Sequence, residues 1–404
     1  MKTLRDIDVS DKKVIVRVDF NVPLEKAEGG YKVADDTRIV AAMETINFLK
    51  DKASKIILMS HLGKPKKEIK KGKSEEEVRK KLTMKHILPK VTEIIAEPVG
   101  FMETLKDEMP TERIVLLENL RFDKGEESKD ENERQELAKQ LAGFADVYVN
   151  DAFGTCHRAH ASIVDVPKLL SGAAGFLLEK EIKALQPFIN PGKGSVAILG
   201  GAKIEDKLSA IKSLLSKYDK VLLGGGMIFT FFKAQGYEIG KSLLNNDMVG
   251  EAKELASNEN LVLPVDIVVS KIKNPDKKLS ELGKEDYSPP KMVSPEGIEP
   301  MYTGLDIGSE TIDNYSEIIA EAKKIFWNGP MGLFELRDFS YGTKAIGEAI
   351  ADNKGAVKIA GGGDSVLAIN QGGYDIPVST GGGASIELVE KGNLPGIQAL
   401  ENNP

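Results

Sequence analysis

The sequence predicts an α/β protein of two Rossmann-like lobes, each a mostly parallel sheet flanked by helices, joined by a linking helix and a hinge. Short apolar runs recur along all 404 residues and are bounded by turn residues, as expected for strands buried on both faces. Helical patterns follow most of the runs. The runs of the first half end in polar residues and those of the second half in glycines, which indicates lobes with different ligands.

Four apolar runs of the first half end in charged or polar residues. They are residues 14–18, 56–59, 114–117 and 147–149, followed by 19–21, 60–64, 118–121 and 150–151. Ligands of open α/β sheets bind outside the carboxyl ends of the strands. Because these ends carry Arg, His, Lys and Asn, the first lobe is predicted to bind a small anionic substrate.

Arginines and histidines concentrate at or near these ends: Arg17, Arg38, Arg121, Arg158, His61, His157 and His160. A single arginine is more often part of a surface ion pair, and the charged stretch 64–85 reads as a solvated loop and the start of a surface helix. The joint placement of the seven side chains still favours an anion site. Cys156 among them is interpreted as a small buried filler.

The middle of the chain predicts a link between the lobes. Residues 176–189 follow helical spacing, and glycines at 172 and 175 and the sequence Asn190-Pro191-Gly192 flank them as hinge candidates. We therefore expect an N-terminal domain (1–175), a linking helix (176–189), a C-terminal domain (190–391) and a tail (392–404) that packs on the N-terminal domain.

Five apolar runs of the second half end in glycines: 196–199, 221–223, 325–327, 357–360 and 378–380. Glycine lets a ligand approach the backbone, and the helix start that follows offers free N–H donors. Several such turns at one sheet edge predict a polyphosphate site, and hence a nucleotide. A tight helix–strand contact would also explain the glycines.

Three side chains beside these glycines are candidates for nucleotide binding. Lys203 and Lys207 border the apolar stripe of a helix predicted to contain Ile204 and Leu208, so they either face solvent or lie over phosphates. Asp364 follows Gly361-Gly362-Gly363, where it would cap a helix or hold Mg²⁺ that is bound to a nucleotide.

Composition excludes several classes of protein. The net charge of −7 argues against nucleic acid or an anionic membrane as the main partner. The first residues lack the apolar core of a signal peptide. One cysteine favours a reducing compartment, and four histidines without ligand spacing favour a hard metal ion over a transition metal.

Ten segments resemble the phosphoglycerate kinase family over essentially the whole chain. They are RVDFNVP (17–23), DTRI (36–39), SHLG (60–63), LENLRF (117–122), NDAFGTCHRAH (150–160), GGAKIEDK (200–207), LDIG (305–308), WNGPMG (327–332), GGGDS (361–365) and STGGGAS (379–385). The resemblance implies reversible, Mg²⁺-dependent phosphoryl transfer from 1,3-bisphosphoglycerate to ADP, giving 3-phosphoglycerate and ATP, by a monomer in the cytoplasm. In the reverse direction the acceptor is the carboxylate of 3-phosphoglycerate, which is ionised at pH 7, so direct in-line transfer needs no general base. The resemblance also implies that the two domains close on the reactants.

The resemblance also implies roles for individual residues. The phosphoglycerate site would contain Asp19, Phe20, Asn21, Arg38, His61, Leu62, Gly63, Lys64, Arg121 and Arg158. The nucleotide site would contain Gly201, Lys203, Lys207, Gly225, Gly226, Gly308, Asn328, Glu335, Gly362, Gly363, Asp364 and Ser365. Arg38, Lys203, Gly361 and Gly383 would act on the transferred group, and Asp364 would hold the metal.

Two positions depart from the family pattern, and two other functions stay open. Lys64 stands where the family usually has Arg, so a bidentate contact is lost, and Ser365 stands where Thr is common. A phosphotransferase for another small acid, or a non-catalytic protein that closes on an anion and senses nucleotide, would share much of the pattern. Lys203, Lys207 and Asp364 discriminate between an enzyme and a sensor, because a sensor needs no cation where charge develops during transfer.

Overall fold

Residues 1–403 are described by a computed structural model and divide into two compact units. The first unit comprises Met1–Lys183 with the described residues from Asn393 onward, and the second comprises Ala184–Gly392. The division falls inside one long helix, Phe176–Ile189. Each unit contains its own parallel sheet, which confirms the predicted fold class.

The first unit is built on six parallel strands in the order β5-β6-β4-β1-β7-β8. The strands are β1 (Lys13–Val18), β4 (Lys55–Met59), β5 (Val99–Met102), β6 (Ile114–Leu117), β7 (Val147–Asp151) and β8 (Ser171–Ala174), and a hairpin of β2 (Leu24–Ala27) and β3 (Gly30–Val33) lies outside this sheet. Strand β1 pairs with β4 on one side and β7 on the other, so its end lies at the point where the strand order reverses. Gly172, part of a hinge candidate, lies buried within β8.

Seven helices follow these strands. They are α1 (Thr37–Ala41), α2 (Met43–Lys50), α3 (Pro65–Lys70), α4 (Glu75–Leu82), α5 (Leu88–Ile95), α6 (Glu131–Ala142) and α7 (Phe176–Ile189). A capping box fixes the start of α4, where the Ser74 hydroxyl accepts from Glu77 N and the Glu77 carboxylate accepts from Ser74 N. The apolar faces of the helices and strands form one core around residues such as Val16, Leu58 and Leu116.

The second unit contains five parallel strands and a separate antiparallel sheet. The strands are β9 (Ser195–Leu199), β10 (Lys220–Leu223), β11 (Leu261–Val262), β12 (Ile267–Ser270), β13 (Lys291–Val293), β14 (Thr303–Ile307), β15 (Lys324–Asn328) and β16 (Val357–Gly361). The parallel order is β11-β10-β9-β15-β16, and β12, β13 and β14 form the antiparallel sheet, which the sequence pattern did not indicate. The fifth predicted strand, 378–380, is reduced to one parallel bridge between Ala360 and Val378.

The helices of the second unit are α8 (Leu208–Leu215), α9 (Ile228–Ala234), α10 (Val249–Ala256), α11 (Ser309–Glu321), α12 (Tyr341–Asp352), α13 (Gly363–Gly372) and α14 (Gly383–Lys391). The prediction that Ile204 lies in a helix is wrong, because α8 begins at Leu208. Residues 205–207 form a turn instead, and the Ile204 carbonyl accepts from Lys207 N and Leu208 N. Trp327, at the centre of this unit, is fully buried.

The described part of the C-terminal tail contains a further helix, α15 (Pro395–Glu401), which belongs to the first unit. Its Gly396 N donates to the Cys156 carbonyl at 2.8 Å. A β-carbon at Gly396 would lie 3.1 Å from the Cys156 sulfur, so the contact is close. Among the helices described here, none combines the length and the apolar character that crossing a membrane would require.

Candidate functional site

The predicted substrate residues of the first unit come together at the ends of β1 and β4. Asn21 Oδ1 accepts a hydrogen bond from Gly63 N at 2.8 Å, and Phe20 N donates to Ser60 Oγ at 2.9 Å. Both bonds join the segment after β1 to the segment after β4, because neighbouring parallel strands end at the same sheet edge. The two segments therefore form one connected wall.

Asn119 adds the segment after β6 to this wall. Its Oδ1 accepts from Leu62 N at 3.2 Å and Arg121 N at 3.1 Å, and its Nδ2 donates to the Leu62 carbonyl at 2.8 Å. Arg121 in turn donates from Nη1 to the Gly63 carbonyl at 2.8 Å, and its Nε lies 2.9 Å from Glu127 Oε1. Burial lowers the pKa of Arg121 from its usual high value, and Glu127 opposes that shift.

A cationic cavity of about 390 Å³ opens beside this wall. It is lined by Lys64, Lys66, Lys67, Lys70, Arg121, Glu127, Arg158 and His160. Its one carboxylate faces six Lys and Arg side chains, so an anion inside it is strongly favoured. The sequence interpretation missed Lys66, Lys67 and Lys70, which it assigned to a solvated loop and surface helix.

Arg38 and Asp19 form an ion pair of 2.8 Å. The Arg38 side chain keeps 38% of its surface exposed, whereas that of Asp19 keeps 11%. Asp19 Oδ1 also accepts from Asn21 N at 3.3 Å. The ion pair with Asp19 therefore orients Arg38 and leaves its guanidinium accessible to an anion.

His61 contributes a hydrogen bond, with Arg17, and the pKa values of His61 and His160 are both lowered. Burial, together with Arg17 and Arg121, lowers the pKa of His61 well below its usual value. Burial, together with Arg121, lowers that of His160 to about 3. Arg17 is fully buried and so lies behind the site. Cys156 is fully buried with its pKa raised to about 12 by burial, which confirms its interpretation as a filler.

In the second unit the glycine segments pack backbone against backbone. A β-carbon at Gly225 would lie 2.5 Å from the Gly201 carbonyl oxygen, and one at Gly200 would lie 1.9 Å from that of Pro330. Gly225 also has φ 72°, a conformation that other residues rarely adopt. Close packing therefore explains these two glycines without a ligand, and the same packing brings the ends of β9, β10 and β15 together.

These ends surround a cavity of about 310 Å³ that contains most of the predicted phosphate-binding residues. It is lined by Gly200, Gly201, Ala202, Lys203, Asp206, Lys207, Asn328, Gly329, Pro330, Gly362, Gly363 and Asp364. The Lys207 ammonium donates to Asn328 Oδ1. Burial lowers the pKa of Lys207 to about 8, while Asp206 and Asp364 act in the opposite direction. Lys203 is exposed and lies 3.9 Å from Glu205.

A second, apolar cavity of about 150 Å³ adjoins the first and shares Gly201, Ala202, Pro330 and Asp364 with it. Its remaining lining includes Gly225, Gly226 and Glu335, and the apolar side chains of Phe229, Leu243, Leu279, Leu305 and Leu333. The sequence interpretation missed these five, since they lie on separate elements and no local period marks them. The first cavity of this unit carries two lysines, Lys203 and Lys207, and two aspartates, Asp206 and Asp364, so it is polar without a net charge. A polar cavity with lysines and glycine backbone, joined to an apolar one, suits a phosphorylated ligand with a flat apolar body.

Four predicted residues lie outside the linings of both cavities. Gly308 follows β14 and precedes α11, and a β-carbon there would meet Asp266 Oδ2 at 2.2 Å, so packing accounts for it. Gly361 ends β16 against Ser385, and Gly383 begins α14. Ser365 is buried, and its Oγ accepts from Gly329 N at 2.6 Å, which holds the turn after β15.

One candidate metal ligand remains in the second unit. Asp364 is exposed and lines both cavities. Residues 1–403 contain no group of three or more His, Cys, Asp or Glu side chains that could hold an ion by themselves. Asp206 also lines the larger of the two cavities. Mg²⁺ commonly uses one or two carboxylates together with substrate phosphates, so the carboxylate of Asp364, which is shared by both cavities, fits it.

Comparison with known proteins places the chain among its relatives. Residues 4–392 match the family model described as phosphoglycerate kinase. Relatives named phosphoglycerate kinase include that of Listeria monocytogenes serotype 4a (strain HCC23), which is 44% identical over 99% of both chains, and that of Thermosipho africanus (strain TCF52B), 44% identical over 99% of this chain and 98% of the relative. The solved phosphoglycerate kinases from Coxiella burnetii and Pyrococcus horikoshii OT3 are similar, with TM-scores of 0.80 and 0.79, identities of 35% and 30%, and coverage of 99% of this chain and 98% of theirs.

Proposed function

The chain belongs to the phosphoglycerate kinase family, whose reaction is reversible phosphoryl transfer between 1,3-bisphosphoglycerate and ADP, and we propose that its two units divide the reactants between them. The first unit would bind phosphoglycerate and the second the Mg²⁺-nucleotide. One observation carries this assignment. Each unit has a cavity with lysine side chains at the carboxyl ends of its parallel strands, and that of the second unit shares part of its lining with an apolar cavity that would suit a nucleoside.

We propose that phosphoglycerate is bound by Arg38, Asn21, His61, Lys64, Arg121 and Arg158. The segments 19–21 after β1 and 61–63 after β4 would complete the site. Lysine at position 64 supplies charge to the cationic cavity without a bidentate fork. Lys66, Lys67 and Lys70 of the same lining add positive charge at its rim. The site would therefore hold the substrate's phosphate mainly by charge.

We propose that Lys203, Lys207, Asn328 and the glycine segments bind the phosphates of ADP or ATP, and that the apolar cavity holds the nucleoside. Asp364 would hold Mg²⁺. When bound, the ion would supply positive charge to the nucleotide's phosphate oxygens. The N-termini of α13 and α14, which no side chain caps, would offer backbone N–H groups to the same phosphates.

The reacting carboxylate of 3-phosphoglycerate is ionised at pH 7, so this chain has no proton to remove from it. The obstacle is repulsion between that carboxylate and the charged phosphoryl group. Arg38 and Lys203 would neutralise the negative charge of the phosphoryl group during its transfer, assisted by the backbone N–H groups at Gly361 and Gly383. The protein would act by positioning and by charge.

Because each unit would hold one reactant, we propose that the units close when both reactants are bound, which also excludes water from an acyl phosphate. Small-angle scattering with 3-phosphoglycerate and a non-hydrolysable ATP analogue should then show a smaller radius of gyration than with either ligand alone. An unchanged radius with both ligands present would contradict closure.

A coupled assay for ATP formation from 1,3-bisphosphoglycerate and ADP tests the function directly. We expect turnover with these substrates and none when another small acyl phosphate replaces 1,3-bisphosphoglycerate. Nucleotide binding without turnover would favour the non-catalytic sensor, and a preference for another acid would favour a different phosphotransferase. The monomeric state and the cytoplasmic location stay predictions, and light scattering in solution tests the first.

A further inference from the structure

A chain of buried polar groups lies behind the phosphoglycerate site and ends at His61. The carboxylate of Glu126, fully buried, accepts from Ser162 Oγ at 2.7 Å and from Ser162 N at 3.0 Å. Ser162 Oγ then accepts from Arg17 Nε at 3.0 Å. Arg17 Nη2 completes the chain by contacting His61 Nδ1 at 3.1 Å.

The last contact determines the proton on the His61 ring. A guanidinium is a donor only, so His61 Nδ1 must accept, which requires that Nδ1 carries no proton. The ring is also neutral at neutral pH, because Arg17 and burial disfavour a second charge. A neutral imidazole carries one proton, which therefore resides on Nε2.

The proton on Nε2 matters because the ligand of this site is an anion. Within residues 1–403, the His61 side chain makes no hydrogen bond besides the one from Arg17, so Nε2 is free for a ligand. Phosphate and carboxylate oxygens accept hydrogen bonds, and an unprotonated Nε2 would present a lone pair to them. The tautomer thus decides whether His61 attracts or repels the substrate.

We propose that Arg17, held by Ser162 and Glu126, is a positioning residue that fixes His61 as the Nε2–H tautomer and so makes it a neutral donor to phosphoglycerate. Arg17 is fully buried and acts through His61. Ser162 lies in a π-helical turn, Ala161–Asp165, and Tyr148 donates to its carbonyl at 2.8 Å, so its hydroxyl is held in place. The functional role of His61 in this inference rests on the proposed function.

Nitrogen NMR of the imidazoles in the unmodified protein tests the tautomer without any change to the buried network. We expect His61, assigned by its loss in His61→Gln, to show a protonated Nε2 and a hydrogen-bonded, unprotonated Nδ1 at neutral pH. A protonated Nδ1, or an imidazolium, would overturn the proposal. The NMR result does not depend on turnover. The tautomer prediction can therefore be wrong while the coupled assay detects activity, and it can be right while the assay detects none.

Ser162→Ala tests the role of the network in binding. It removes the acceptor of Arg17 Nε, so Arg17 loosens and we expect the KM for 3-phosphoglycerate to rise about tenfold. The KM for MgATP should stay unchanged. Thr155→Val is the matched control, because Thr155 is also buried and, among residues 1–403, its hydroxyl bonds only the Ala152 carbonyl, at 3.0 Å. Equal changes of both KM values, or equal effects of the two variants, would mean that Ser162 acts on stability alone.

Discussion

Arg38 is the residue on which the proposed transfer depends most in the first unit. Its guanidinium is partly exposed and bonded to one carboxylate, that of Asp19. Loss of one group that stabilises a developing charge typically costs 10²- to 10³-fold in rate, so we expect Arg38→Ala to lower kcat by about that factor. A steady-state assay at saturating substrates measures it.

Lys85→Ala is a suitable control for Arg38→Ala. Lys85 is similarly exposed, with 49% of its side-chain surface accessible, and pairs with Glu103 at 2.9 Å. We expect this variant to keep normal turnover, because exposed ion pairs contribute little. Near-normal kcat in Arg38→Ala would remove Arg38 from the chemistry.

Lys207 predicts a pH dependence of nucleotide binding. Its pKa of about 8 means that the free protein loses the ammonium charge as the pH rises through 8. Bound phosphates would raise the pKa of Lys207, so ADP binding between pH 8 and 9 should be accompanied by proton uptake. The affinity for ADP should therefore fall above pH 8, by at most about tenfold per pH unit. Calorimetry in buffers of different ionisation enthalpy measures the uptake.

Lys207→Met separates this effect from other titrations. It should abolish the proton uptake attributable to Lys207 and weaken ADP binding at pH 7. Lys220→Met should leave both unchanged, since Lys220 begins β10 and its ammonium contacts the Glu259 carbonyl. The assignment is wrong if Lys207→Met takes up as many protons as the unmodified protein.

At the scale of elements, the glycine segments predict unequal effects of alanine. Gly225→Ala combines a positive φ with a clash against Gly201, whereas Gly236, with φ 92°, has no atom within 4 Å of an added β-carbon. Strain alone should cost Gly236→Ala about 1 kcal/mol, and Gly225→Ala should cost about 3 kcal/mol. Thermal unfolding and the KM for ADP measure the two variants.

The clash should also displace the segment after β9, so only Gly225→Ala should raise the KM for ADP. Equal changes of Tm in both variants would show that the close packing of Gly225 and Gly201 contributes nothing beyond backbone strain.

Much of the parallel framework could be predicted because buried parallel strands are continuous apolar runs, as in β1, β4 and β9. The strand β8 could not, since Ser171 and Gly172 give it no apolar run. The start of α8 was misplaced because Ile204 fits the helical period although its backbone forms a turn. The antiparallel sheet was missed because one of its strands, β13, is only three residues long and largely exposed, so it gives no apolar run.

The site residues could be predicted only where charged or polar side chains directly follow the end of a strand. Lys203, Lys207 and Asp364 follow glycines and line one cavity as a consequence. The apolar cavity could not be predicted, because Phe229 comes from α9 and Leu305 from β14, which meet only in three dimensions. The sequence also marked Arg17 as part of the anion site, although burial places it behind His61.

At the scale of the whole molecule, the proposed division of the reactants requires each unit to be specific for one of them. The cationic cavity of the first unit has six Lys and Arg side chains in its lining, whereas the cavity of the second unit that contains Lys203 and Lys207 shares part of its lining with an apolar cavity that would suit a nucleoside. Changes in one unit should therefore affect the binding of one ligand alone.

Titration calorimetry of 3-phosphoglycerate and ADP with Arg38→Ala and Lys207→Met tests this division most directly. We predict that Arg38→Ala weakens 3-phosphoglycerate binding at least about tenfold and leaves ADP binding unchanged, and that Lys207→Met does the reverse. Weakening of both ligands by either variant, or of the opposite ligand by each, would contradict the assignment of one reactant to each unit.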